Sequence, residues 1–90
     1  MKARNEAIRH ECHLQLYGAQ ARAQSIVAIR KKAARDGDIY PAASDSEIET
    51  ALFFLVGQKL AEEIQDPATG QKLYRITSAG TLHWENTESH

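Results

Sequence analysis

Glu6, His10 and His13 are the residues in this chain whose types and spacing most resemble a reactive site. They recur at i, i+4 and i+7 on one helical face, with Tyr17 one turn further on. Two imidazoles and a carboxylate so placed can ligate zinc, which takes three or four N, O or S donors. No fourth ligand is specified, and Cys12 falls on the opposite, apolar side. The expectation is therefore a polar, solvent-facing stripe with no metal. Cys12 reads as a small core residue, because a reactive thiol needs exposure and a basic partner. His83 and His90 are expected at the surface. The chain has no glycine-rich phosphate loop, nucleophile elbow or paired-carboxylate motif. Neither an enzyme nor a cofactor is expected.

The elements that must position these residues follow from periodicity. The spacing predicts a first helix from Asn5 to Tyr17, with Ile8, Cys12, Leu16 and Ala19 as its apolar stripe and Gly18 as its stop. Residues 19–24 read as a connector. A second helix is expected over Ser25–Arg35, with Ser25 capping and Ile26, Ile29 and Ala33 facing the core. Asp36-Gly37-Asp38 breaks it. Ser44 and Glu47 have capping-box spacing at the start of a third helix, whose apolar stripe is Ile48, Ala51, Leu52 and Leu55. This helix fades near Gly57. The period then becomes extended. Leu60–Gln65 and Gln71–Thr77 read as two strands joined by a five-residue turn, Asp66-Pro67-Ala68-Thr69-Gly70. Thr77 or Ser78 can cap a short last helix that carries Leu82 and Trp84. Residues after Asn86 are expected to fray.

Ninety residues suit one domain, with an ordered core over about residues 5–85. There is no apolar run long enough for a membrane span and no apolar leader at the N-terminus, so a cytoplasmic location is expected. A single cysteine excludes an internal disulfide. The net charge of −1 conceals two unlike halves. Residues 1–40 carry eight Lys/Arg against four Asp/Glu, and residues 41–90 carry three against eight. The two halves can meet in the fold or across a dimer. A uniformly basic nucleic-acid binder is excluded, but a local basic patch is not.

Two strings resemble a known superfamily. One is Glu47-Ile48-Glu49-Thr50-Ala51-Leu52-Phe53-Phe54-Leu55 followed by Leu60. The other is Tyr74-Arg75-Ile76-Thr77-Ser78-Ala79-Gly80. With the order of three helices, hairpin and short helix, they resemble the winged helix-turn-helix domains of bacterial and phage proteins. The resemblance implies a mostly α fold with a two-stranded wing. The family usually has glycine just before the position of Leu60, where this chain has Lys59.

The resemblance also implies double-stranded DNA as partner, a role in transcription regulation, and a homodimer through the first and last helices. Trp84 is either an anchor for the last helix or part of that dimer contact. The nucleic-acid-binding candidates are Arg30, Lys31, Lys32, Arg35, Lys72 and Arg75, which would hold phosphates. Lys2, Arg4 and Arg9 add positive charge near the start of the chain.

The third helix itself argues otherwise. Its expected outward face is Ser46, Glu49, Thr50, Phe53 and Val56, with no cation to approach phosphate. The alternative function is a protein-binding module, such as a phage-encoded inhibitor or adaptor, using Glu49, Phe53 and Val56.

Overall fold

The computed structural model describes residues 2–20 and 22–88. Within these residues, four helices and a small antiparallel sheet follow one another in the order α1 (Lys2–Ala19), β1 (Gln24–Ser25), α2 (Ile26–Asp36), α3 (Asp45–Gly57), β2 (Ala61–Gln65), β3 (Lys72–Ile76) and α4 (Ser78–Glu88). The expectation of a two-stranded hairpin needs correction. Gln24 and Ser25 pair with Tyr74 and Leu73 as a third strand, giving the order β1-β3-β2. The connector is thereby tied down at its end. The Gln24 side chain is buried, donates to Gln15 O and accepts from Lys32 Nζ, joining α1 to α2.

The apolar stripes of α1, α2 and α3 meet in one core. Ile8, Cys12 and Leu16 from α1, Ile29 from α2, and Ile48 and Leu52 from α3 lie at its centre. Burial pushes the Cys12 thiol up to about 12, and the neighbouring Glu11 charge pushes the same way. The thiol is held in its neutral, unreactive form.

Helix α1 runs past Gly18 to Ala19, and Gln20 takes the left-handed conformation beyond it at φ 58°. Ser25 caps α2 by accepting from Ala28 N at 3.1 Å. Helix α3 opens on a complete capping box between Ser44 and Glu47. Helix α4 is capped by Thr77, whose Oγ1 accepts from Gly80 N at 3.0 Å. It extends through Thr87 and Glu88, where fraying was expected; Ser89 and His90 lie outside the described residues.

Glu47 has a second role that the sequence does not reveal. Arg4 grips its carboxylate with Nε at 2.7 Å and a second guanidinium nitrogen at 2.9 Å. Together with the Ser44 backbone N–H, this holds the Glu47 carboxyl down at about 2, below its ordinary 4.5. A depressed carboxyl stabilises the fold fully above the unfolded value and loses that contribution as protonation proceeds. Stability is therefore expected to fall as pH drops from about 4.5 towards about 2. Urea titrations across this window should show a shallower acid limb for Glu47→Gln.

The turn after α3 accounts for the missing glycine. Lys59 N donates to Val56 O at 2.9 Å and Leu60 N donates to Leu55 O at 3.0 Å, the paired bonds of a Schellman motif. That motif needs a left-handed residue, and Lys59 supplies it at φ 63°. A side chain in this region costs roughly 1–2 kcal/mol, partly offset by the smaller unfolded-state freedom of a non-glycine residue. Lys59→Gly is expected to stabilise the protein by about 0.5–1 kcal/mol, read as a higher urea midpoint at unchanged slope.

Candidate functional site

Two of the three carboxylates of α3 meet a cation from another helix. Asp45 accepts from Arg30 of α2. Glu47 accepts from Arg4 of α1. Glu49 is exposed and has no ion-pair partner among the described residues. Thus two of the cations from the basic half of the chain are spent on the acidic half within the fold.

The two phenylalanines are unlike in the same way. Arg9 of α1 lies over the Phe54 ring, 4.2 Å from its centroid, and Phe54 is 44% exposed. Phe53 is 79% exposed. No cation lies over its ring among the described residues. Sequence reasoning did not single out Phe54, because nothing in α3 itself indicates that Arg9 will reach it.

Ile48, Ala51, Leu52 and Leu55 are buried as the periodicity predicts, and Ser46, Glu49, Thr50 and Phe53 face outward. Val56 requires correction as a partner-binding residue. It is half-buried and packs against the core. The reason is geometric: Val56 continues the i, i+4 row begun by Ile48 and Leu52. The outward face is therefore Glu49 and Phe53, four residues apart, flanked by Ser46 and Thr50.

Charge near this face is mainly negative. On the adjoining strand, Glu63 accepts from the Tyr74 hydroxyl at 3.2 Å. Burial, then Glu63, then more weakly Glu49, push the Tyr74 phenol up to about 12. A groove of about 400 Å³ beside the start of α3 is lined by Ile26, Val27, Asp45, Ser46, Glu49, Gln71 and Lys72. Val27 and Lys72 are exposed in it.

The six proposed phosphate-binding cations do not form a free basic surface. Arg30 pairs with Asp45, and Arg75 pairs with Glu62 directly across the β2–β3 ladder. Arg35 makes two bonds to Asp36, at 2.8 and 2.9 Å. Lys32 donates to Gln24 Oε1. Lys31 and Lys72 remain exposed, with no carboxylate partner among the described residues.

The Glu6–His10–His13–Tyr17 stripe is also corrected. Glu6 and His10 are exposed as expected, but His13 is buried and Tyr17 half-buried, because α4 docks on that end of the stripe. His13 is 6% exposed, and its Nε2 donates to Gly80 O at 2.9 Å. Trp84 sits among the rings of His10, His13 and Tyr17 at centroid separations of 4.9, 5.1 and 5.8 Å. The Tyr17 hydroxyl donates to Glu85 at 3.1 Å. Glu6 is exposed. Among the described residues there is no group of three or more His, Cys, Asp or Glu side chains placed to hold a metal ion. His83 is exposed, as expected, and His90 lies outside the described residues.

Among the described residues, no helix is long and apolar enough to cross a membrane. No protein-family model matches the chain, and no curated protein is significantly similar to it.

Proposed function

We propose that this chain is a winged-helix module that binds a partner protein through the outward face of α3. The order of three helices, hairpin and fourth helix supports the winged-helix reading, with β1 as an added strand beside the hairpin. One observation carries the choice of partner. The helix that would enter a DNA groove presents Glu49 and a 79% exposed Phe53 and contains no Lys or Arg. Phosphate repels such a face, whereas an apolar anchor rimmed by charge is a common protein-binding arrangement.

Phe53→Asp is the test. Because the ring is exposed, the change should alter stability by only about 0.5 kcal/mol or less. It should abolish partner binding, measured by titration calorimetry or by cross-linking to a captured partner. Unimpaired binding by a folded Phe53→Asp protein would overturn the reading.

Lys31 and Lys72 favour a second reading, a DNA-binding regulator that contacts phosphates from α2 and the hairpin. Exposed ion pairs such as Arg75–Glu62 contribute only about 0–1 kcal/mol, so phosphate could displace the carboxylates. Binding to duplex DNA at low salt that weakens steeply at higher salt would support it. Absence of binding at low salt would remove it.

A further inference from the structure

We propose that Glu49 and Phe53 together form a receptor for an arginine side chain on a partner protein. The inference rests on the protein-binding reading and specifies what the partner must present. Its basis is the way the rest of α3 is satisfied. Helix α3 offers three carboxylates and two phenyl rings outside the core: Asp45, Glu47, Glu49, Phe53 and Phe54. Asp45 is taken by Arg30, Glu47 by Arg4, and Phe54 by Arg9. All three occupants are guanidinium groups, and all three come from other elements of the same chain.

The two groups left over are Glu49 and Phe53. They stand at i and i+4, so both project from the same side of the helix one turn apart. A planar guanidinium can lie over the Phe53 ring and donate to the Glu49 carboxylate, because arginine combines stacking and directed donation in one group. The same two acceptor types, a carboxylate and a ring, are already filled on the α1 side of α3 by Arg4 and Arg9. Lysine fits less well, since its ammonium is a compact, strongly hydrated point charge. Glu63 and Glu49 both act on Tyr74, so this face holds a second carboxylate to attract a basic side chain, against the single exposed Lys72 in the groove beside Glu49. Raising the salt should weaken this exposed contact.

A random twelve-residue peptide display library, selected against the full chain, tests the proposal. Peptides that bind the wild type but not Phe53→Asp or Glu49→Gln should be enriched in arginine. In the best of them, replacing that arginine with lysine should weaken binding by about fivefold or more. Circular dichroism of both variants should match the wild type, since both positions are exposed. Peptides that depend on Phe53 but show no arginine preference would overturn the arginine receptor and leave the protein-binding face standing. If no bound peptide depends on Phe53, both readings fall. Wild-type dimerisation that Phe53→Asp abolishes would place a second copy on this face and overturn a separate partner.

Discussion

Replacing Gly80 with alanine is expected to destabilise the protein by about 3 kcal/mol. A Cβ built on Gly80 would lie 1.9 Å from the Leu60 carbonyl oxygen and 2.7 Å from Ile76 Cγ1. The carbonyl cannot readily withdraw. It accepts from Thr77 N at 3.1 Å, and Leu60 is itself fixed by the Schellman turn. The Gly80 carbonyl is committed as well, as the acceptor for His13. Relief must therefore come from moving α4 away from Leu60 and Ile76, which would break the His13 bond and disturb the Trp84 cradle. The only tryptophan in the chain lies on α4, so its emission reports the displacement directly. A red shift together with a lower urea midpoint is the expected result. Unchanged emission and midpoint would mean that α4 tolerates the methyl group where it lies.

Trp84→Ala is expected to cost about 2–3 kcal/mol, less than the roughly 3–5 of a fully buried aromatic, because Trp84 is only half-buried. The loss should also be local. Helix α4 packs mainly on α1 and β3, whereas the α1–α2–α3 core is closed by other side chains. Removing the indole leaves the rings of His10, His13 and Tyr17 without the group that fills them. Hydrogen exchange of α4 amides should accelerate well before that of α2 and α3. Equal acceleration throughout would show that α4 and the core open as one cooperative unit.

These contacts give the Tyr74–Gly80 string a physical meaning. Tyr74 and Ile76 face the core, while Arg75 faces outward beside Glu62. Thr77 both caps α4 and donates to Lys59 O at 2.8 Å. Gly80 permits the close approach of helix to strand. The string thus closes the sheet and launches the last helix. Its resemblance value concerns architecture, and none of these contacts calls for a nucleic acid.

Local rules determined most of the elements. The Ser44–Glu47 box starts α3 because a hydroxyl and a carboxylate three residues apart can each satisfy a free backbone N–H, a relation contained within four residues. The stripes on α1 and α3 identify the core because helix periodicity fixes which side chains share a face. The Asp66–Gly70 turn was legible from proline and the left-handed Gly70, at φ 76°.

Tertiary structure decided what covers each face and which charges remain free. Gln24 and Ser25 carry no strand pattern of their own; they become β1 because β3 has an edge to pair with. The histidine stripe had a readable direction, but only the path of the chain brings Trp84 onto it. Arg4 and Glu47 are separated by 43 positions, so no local pattern indicates that they pair. Such long-range pairing takes Arg4 and Arg30 from the basic half and leaves Glu49 and Phe53 exposed on α3. The sequence determined a helix with an acidic, aromatic outer face, because composition and period are local. The fold decided which part of that face remains available to a partner, because burial and charge pairing depend on contacts between distant segments.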